Sequence, residues 1–410
     1  MRSFIPRGFS RDIWALFTTN IISSIGFSVT MPYMSLYLHN VLHVPMTIVG
    51  VILMTTLLIG STLGLYGGEL SDRLGRKYIM VRSLSVRFFV FLLLGIAIML
   101  FPHVLIIAGL MLLNSILFSF YGPASQAYIA DLTNEEKRIS AYGLLRMGGN
   151  LGWALGPALG GLIAAFDYSY LFFFTAFCMA VAVFVLTRYS RESLDRTHVV
   201  RHDETTVQSI FSVVRDTQYF VFALICLIIF TVWGQLVSPI SVYSVNCVGI
   251  SKIQVGFLFS INGFMVAALQ YFITSMIRRN RELDALWIGS LIYAAGYLTV
   301  GFATNFFMLA LSMVVITVAE MVITPATQSY ASIIADPRHR GRYMGVLNLS
   351  QTMGWAIGPL LGGIMLDIFP GRNFYSWSII AGIAVCACFG FIFFKNKYRS
   401  SCLQAPASSR

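Results

Sequence analysis

The sequence predicts an all-α integral membrane protein of twelve transmembrane helices, arranged as two six-helix bundles around a central cavity. Three observations predict it. Hydrophobic residues make up 57% of the 410 residues and charged ones only 11%, far from the balance of a soluble domain. Uncharged runs of about 20 residues, enough to cross a hydrocarbon core of about 30 Å, recur along the whole chain. The chain also repeats itself at an offset of 202 residues, as a tandem duplication would.

The apolar runs fall at about 12–38, 46–70, 78–100, 103–130, 139–165, 168–188, 216–245, 252–277, 284–303, 305–334, 341–367 and 373–394. The first follows Arg2, Arg7 and Arg11. It is longer than the apolar core of a signal peptide and has no small-residue cleavage site after it, so it is expected to remain as a membrane helix. Pro32 in the first span and Pro239 in the seventh are expected to kink their helices and free carbonyls toward the cavity. The expected organisation is an N-terminal bundle over 1–188, a cytoplasmic linker over 189–215, a C-terminal bundle over 216–394 and a cytoplasmic tail over 395–410. In the linker, Val207, Ile210, Phe211 and Val214 follow a helical spacing. That spacing fits an amphipathic helix on the inner membrane face as well as a solvated connector.

Net charge is +11, and its placement excludes a nucleic-acid role. Of the 28 Lys and Arg residues, 24 lie in the N-terminal segment, the even-to-odd loops, the linker or the tail. Lys252 and Arg372 fall on the opposite side, and Arg87 and Arg146 lie inside spans. This is the positive-inside pattern, which puts both termini in the cytoplasm. A nucleic-acid surface would gather these charges on one face with aromatics between them. The six cysteines are scattered without zinc or disulfide spacing.

The repeat is gapless over two spans and their connecting loop. GPASQAY from Gly122 lies over TPATQSY from Thr324, and GWALGPALGG from Gly152 lies over GWAIGPLLGG from Gly354 with eight of ten positions identical. Six helices are an even number, so both copies enter the membrane from the same side. Their pseudo-axis then runs along the membrane normal, with a cavity between the halves and rocking of one half on the other as the natural motion.

Two stretches break the apolar pattern for physical reasons. In GELSDRLGRK, Gly68 and Gly75 permit a tight reversal, while Asp72, Arg73, Arg76 and Lys77 stay hydrated at the membrane edge. In GGNLGWALGPALGG, Gly148, Gly152, Gly156 and Gly160 recur every four residues on one helix face. Such a stripe allows another backbone to approach closely where lipid supplies no hydrophobic drive.

With these stretches the chain, over essentially its whole length, resembles the major facilitator superfamily. Gly68, Asp72, Arg73, Gly75, Arg76 and Lys77 match the G-x-x-x-D-R-x-G-R-K loop signature. Gly152, Gly156, Pro157, Gly160 and Gly161, echoed by Gly354, Gly358, Pro359, Gly362 and Gly363, are similar to the G-x-x-x-G-P-x-x-G-G signature of the fifth helix of proton-coupled antiporters, multidrug exporters in particular. The resemblance implies that the loop latches the halves in the outward-facing state, with Arg76 reaching Asp131 at the end of the fourth span. It also implies that the fifth and eleventh helices face the eighth and second of the opposite half, so that the glycines would form the sliding surface. The second half reads SMIRRNRELD at the matching place; it keeps the basic charge without the glycines, so any latch is asymmetric.

Ionisable groups deep in a bilayer cost on the order of 3 kcal/mol, which makes each a functional candidate. Glu320 is the one acid in mid-span, in ITVAEMVITPATQ, roughly 22 Å from either end. We expect it to load a proton at one face and release it at the other. The alternative is a neutral acid hydrogen-bonded to a neighbouring helix, or a pairing with Arg87 or Arg146 that only holds helices together. Proton-coupled relatives commonly carry L-x-x-x-R-x-x-x-G in the fourth helix, whereas LMLLNSILFSFYGP here has Asn114 and Phe118 at those places. Arg146, one turn before Asn150 on the fifth span, either replaces that arginine in proton coupling or extends its head to the cytoplasmic surface. No role is assigned to Arg87. The resemblance makes the first, fourth, seventh and tenth helices cavity-lining, so Asn20, Phe27, Tyr33, Tyr37, Asn114, Gln126, Trp233, Gln235, Tyr243 and Gln328 are the candidate substrate contacts. Aromatic walls with few polar groups suit amphipathic compounds.

The expected function is therefore export of amphipathic or drug-like small molecules from the cell membrane by proton antiport, as a monomer. The proton gradient would supply the energy, and no cofactor or metal is expected. A second reading keeps the fold and changes the cargo to one metabolite such as a sugar, lipid precursor or organic acid. An enzyme would need clustered His, Asp or Cys at membrane depth, and the six histidines all lie in loops or at span ends. No pore ring or filter suggests a channel.

Overall fold

The computed structural model describes residues 9–193, 213, 215–277, 281–336, 339–371 and 373–402. Val207, Ile210, Phe211 and Val214 of the linker lie outside the described residues, as does much of SMIRRNRELD's basic run. Several helices begin where a polar side chain takes up the free N–H groups that open a helix. Ser10 accepts from Ile13 N at 3.4 Å ahead of α1 (Arg11–Leu36). Asp167 accepts from Ser169 N at 2.7 Å ahead of α6 (Tyr168–Tyr189), and Asn305 from Met308 N at 3.1 Å ahead of α11 (Phe306–Ile334).

Between these lie α2 (Met46–Leu74), α3 (Arg76–Leu100), α4 (Val104–Leu132) and α5 (Glu135–Phe166) in the first half. The second half is α7 (Thr217–Trp233), α8 (Pro239–Asn246), α9 (Lys252–Met276), α10 (Glu282–Gly301), α11, α12 (Arg340–Ile368) and α13 (Asn373–Cys402). No strand occurs among the described residues.

The seventh span is broken where a kink was expected. α7 ends at Trp233, one 3-10 turn covers Gly234–Leu236, and the chain restarts at Pro239, the first residue of α8. Proline lacks the N–H a continuous helix would need but suits the first position of a new one. Eleven of the described helical segments are long and apolar enough to cross a membrane. The expected span over 341–367 forms α12 in its proper place but falls short in apolarity. It carries Arg342, Asn348, Gln351 and a run of glycines, and packs between α2 and α7.

Packing repeats with the sequence. In the first bundle α1 packs on α5 and α6, α3 on α4 and α6, and α2 on α4; in the second, α7 packs on α12 and α13, α10 on α11 and α13, and α9 on α11. Across the bundles α5 meets α9 and α2 meets α12, which are the same pair under the duplication. Large apolar side chains such as Leu105, Phe166, Tyr271 and Phe307 stand exposed on the outer faces. On a chain of this composition such a belt is the lipid-facing surface.

The glycine stripe faces its own bundle, which corrects the expectation that it forms the sliding surface. A Cβ at Gly148 would lie 3.1 Å from Ile21 and Phe17, and one at Gly156 would lie 2.9 Å from Ile25 O and Ser28 Cβ, all on α1. Gly152 and Gly160 back onto Ser24 and Val29 of the same helix. Gly354, Gly358 and Gly362 likewise meet Phe230, Gly234 and Gln235 in the second bundle. The interbundle contact uses the next residues round the helix, about 100° away at 3.6 residues per turn. Trp153, Ala154 and Pro157 meet Gly263 and Gly256 of α9, Gly161 meets Lys252 and Ile253, and Gly363 with Pro359 meets Met46 and Gly50 of α2.

Candidate functional site

The bundles are clasped at the end opposite the chain termini. Asn40 and Asn246 exchange amide hydrogen bonds at 2.8 Å. Tyr33 Oη donates to Lys252 O at 3.2 Å, and Lys252 Nζ donates to Ala164 O at 3.0 Å. Asp367 on α12 accepts from Met46 N at 3.1 Å and Thr47 N at 2.7 Å, capping α2 across the boundary. Such a cap is worth about 1 kcal/mol. Asp367→Ala is therefore expected to lower the closed population at this end about fivefold. The readout is the distance distribution between spin labels on Cys247 and a Val41→Cys substitution, with the other cysteines replaced; an unchanged distribution would show the cap to be idle.

Between the bundles lies a cavity of about 230 Å³. Its walls are Arg146, Asn150 and Trp153 from α5, Asn262 and Gln270 from α9, Glu320 and Thr324 from α11, and Trp233 and Trp355. Asn262 Nδ2 donates to Glu320 Oε2 at 2.8 Å and to Thr317 Oγ1 at 3.0 Å. Arg146 across the cavity is within electrostatic reach of the carboxyl. The two form no ion pair among the described contacts; the carboxyl is held by Asn262, with the Trp233 indole beside it, and lines the cavity.

A second cavity, of about 390 Å³, lies in the first bundle and shares Met31, Trp153, Val237 and Trp355 with the first. Asn20, Phe27 and Asn114 line it, together with Arg87, Phe118 and Tyr121. Phe27 stacks on Phe118 with ring centroids 6.0 Å apart and meets Trp153 edge-on, also at 6.0 Å. Arg87 of α3 sends its Nε to Asn114 Oδ1 at 2.9 Å. A guanidinium therefore rests on the position where the family pattern carries its arginine, supplied by the neighbouring helix.

Of the other expected contacts, Trp233 lines the interbundle cavity. The rest stand outside both cavities, a correction to their expected place. Tyr33 is buried, with its hydroxyl donating to Pro157 O at 3.0 Å, and Tyr37 is buried against Tyr168. Tyr243 donates to Val300 O at 3.1 Å and packs on Trp377. Gln235 Nε2 donates to Gly358 O at 2.9 Å and braces the broken seventh span. Gln126 and Gln328 stand exposed near the terminus-side ends of α4 and α11. Sequence reasoning missed Asn262, Gln270, Trp355 and Tyr121. Asn262 and Gln270 are polar residues within an apolar run, but on the eighth span, which the resemblance places at the interbundle contact and not among the cavity-lining helices.

At the terminus-side end, Arg76 pairs with Asp72 and reaches Asp131 Oδ2 at 3.4 Å, and its Nη1 donates to Ser71 Oγ at 2.8 Å. Gly75 has φ of 116°, a conformation glycine adopts without strain. Just after it the Glu192 carboxylate accepts from Lys77 N at 3.2 Å and Tyr78 N at 3.1 Å, capping α3. Lys77 Nζ donates to Ser190 O at 2.6 Å. Among the described residues Arg73 makes an exposed pair with Glu69 at 2.5 Å, and Gly68 lies 3.9 Å, by its would-be Cβ, from Pro123. These contacts fall within the first bundle and the start of the linker, at Ser190 and Glu192, and among the described residues none reaches the second bundle. In the second half the matching corner is tied by Lys395 to Asp284 at 2.5 Å.

A helical membrane protein duplicated into two bundles, with a polar-lipped cavity between them and a clasp at one end, is a carrier of small molecules. The Major Facilitator Superfamily profile matches residues 16–281 and 234–408, and the chain belongs to that family. It is 25% identical over 376 residues to the uncharacterized MFS-type transporter YqjV of Bacillus subtilis (strain 168), covering 91% of this chain and 90% of that one. It is 25% identical to the multidrug resistance protein MdtH of Yersinia enterocolitica serotype O:8, with 94% of each chain covered. The Na(+), Li(+), K(+)/H(+) antiporter of Planococcus maritimus is 23% identical, with 96% of this chain and 97% of that one covered. Among solved structures the nucleoside transporter NupG superposes with a TM-score of 0.80 at 13% identity over 93% of this chain and 99% of that one. The protein is thus a multi-pass membrane transporter, embedded in a bilayer and moving small molecules.

Proposed function

We propose that the protein exports small amphipathic molecules across the cell membrane by proton antiport with alternating access, working as a monomer with both termini in the cytoplasm. The observation that carries this reading is Glu320. A carboxyl at mid-membrane lines the interbundle cavity, held by Asn262 and faced by Arg146. Burial makes its charge costly, and an opposing arginine makes it less so. A rocking motion that alters water access or the distance to Arg146 therefore changes its proton affinity, which is what couples a proton to a cargo.

Relatives named as a multidrug resistance protein and as a cation/proton antiporter support the same reading. The termini follow from the positive-inside charge pattern, and the clasped end then faces outward. In this arrangement the Gly68–Lys77 motif has its partners in the first bundle and at the start of the linker, in keeping with a latch that is released when the cytoplasmic ends part. Arg146 serves as the counter-charge, and the proton gradient is the energy source.

The test is accumulation of dyes and antibiotics, acidic and basic, in cells overproducing the protein, with and without a protonophore. The expected result is lowered accumulation of amphipathic compounds, restored by the protonophore. Accumulation unaffected by the carrier for every compound would favour a dedicated metabolite transporter instead.

A further inference from the structure

The cavity in the first bundle holds a cation that none of the described residues lining it neutralises. Arg87 is 1% exposed, and no acidic residue is among those lining the cavity. Its Nε is taken by Asn114 Oδ1 at 2.9 Å, and its guanidinium lies 5.2 Å from the Phe118 ring centroid. Among the described residues Nη2 has no hydrogen-bond partner, and neither has the buried hydroxyl of Tyr121, which lines the same cavity. A buried guanidinium with an unmet donor is costly unless something supplies charge and acceptors. Two unmet donors in one wall, one of them cationic, ask for an anionic acceptor, and a guanidinium fork suits a carboxylate. The remaining walls are apolar, among them Phe27, Leu53, Met111 and Phe118. The volume of about 390 Å³ is that of a small-molecule site.

We infer that Arg87, with Tyr121 beside it and Asn114 fixing its Nε, recognises the anionic head of the cargo. The transported molecules are accordingly amphipathic organic carboxylates whose apolar body lies along Phe27 and Phe118. This deepens the exporter reading and rests on it for the word cargo, but the binding itself needs no proton gradient. The division of labour is physical: the acid in the interbundle cavity titrates, and the base in the neighbouring cavity selects.

The test is equilibrium binding to the full-length protein in nanodiscs, using 11-(dansylamino)undecanoic acid and its primary amide as fluorescent probes. The acid should bind about tenfold more tightly than the amide, the size of one charge-assisted hydrogen bond lost. Arg87→Gln should bring the acid down to the amide's affinity while leaving the amide unchanged, and Arg87→Lys should keep part of the preference. Glu320→Gln should keep all of it. Should Arg87→Gln fail to fold, Tyr121→Phe is the second variant, with a severalfold loss for the acid alone. Equal binding of acid and amide to the parent protein, or a preference that survives in Arg87→Gln or is untouched in Tyr121→Phe, overturns the inference. An intact acid preference without gradient-driven transport would instead sink proton coupling and leave the recognition site standing.

Discussion

Glu320→Gln is expected to abolish gradient-driven transport while leaving downhill exchange of cargo in place. Glutamine keeps the shape of the side chain and a hydrogen bond to Asn262, which now reaches Glu320 Oε2 at 2.8 Å. What it removes is the ionisable group to which the proposed coupling assigns the proton. In proteoliposomes with an imposed pH gradient, the initial rate of uphill movement should fall at least about 100-fold, the scale of losing one essential proton-transfer group. Exchange of labelled for unlabelled cargo without a gradient should stay within a few-fold of the parent. A mutant that drives cargo uphill as well as the parent would remove Glu320 from the mechanism. The contrast between the two assays separates a coupling role from a packing role, since a helix-holding residue would depress both.

Gly256→Leu is expected to push the equilibrium away from the clasped arrangement. A Cβ at Gly256 would stand 2.8 Å from Tyr33 Oη and 3.1 Å from Ala158 Cα, against the Pro157 carbonyl across the bundle boundary. Little there can yield, because two of those atoms belong to the α5 backbone. Overpacking of this kind costs about 1–3 kcal/mol, enough to shift the population about 5- to 150-fold. Spin labels at Cys247 and Val41→Cys should report a longer distance in the mutant. Gly156→Leu makes the control. Its Cβ would meet Ile25 O at 2.9 Å within the first bundle, so it should lower thermal stability and yield and leave the label distance of the folded fraction unchanged. If Gly156→Leu lengthens that distance and Gly256→Leu does not, the assignment of the two glycine faces is reversed.

The division of these faces marks the boundary of what the sequence could say. Apolar run lengths, the duplication at 202 residues and the charge asymmetry are properties of a chain in lipid, and they led directly to the helices and their repeated packing. Which face of a helix points where is harder. In a soluble helix the polar stripe identifies the outside, but here lipid-facing and protein-facing surfaces are both apolar, so periodicity carries little information. The stripe of Gly148, Gly152, Gly156 and Gly160 announced a close approach without naming the partner, and the partner is α1. The same ambiguity displaced Tyr33 and Tyr243 from the cavity: both are aromatics on cavity-lining helices, turned toward the core and spending their hydroxyls on backbone carbonyls.

Glu320 and Arg87 are visible in the sequence as mid-span charges for the opposite reason, although the sequence assigns Arg87 no role. A charge at mid-span is costly enough to be a signal by itself. Its partners were not legible, because they come from other helices: Asn262 from α9 to Glu320, and Asn114 from α4 to Arg87. Asn114 stood out as a departure from the family pattern at its own position. Only the fold reveals that α3 brings the arginine to it.

Under the proposed function, cargo and protons move in opposite directions through one carrier whose proton site is Glu320. The most direct measurement loads proteoliposomes with a pH-sensitive dye in lightly buffered medium, without any imposed gradient, and adds cargo to the outside. A proton flux opposite to cargo entry is expected in the parent protein, saturating with cargo concentration and absent in Glu320→Gln. Cargo entry with no proton movement in the parent, or the same proton movement in Glu320→Gln, would contradict it.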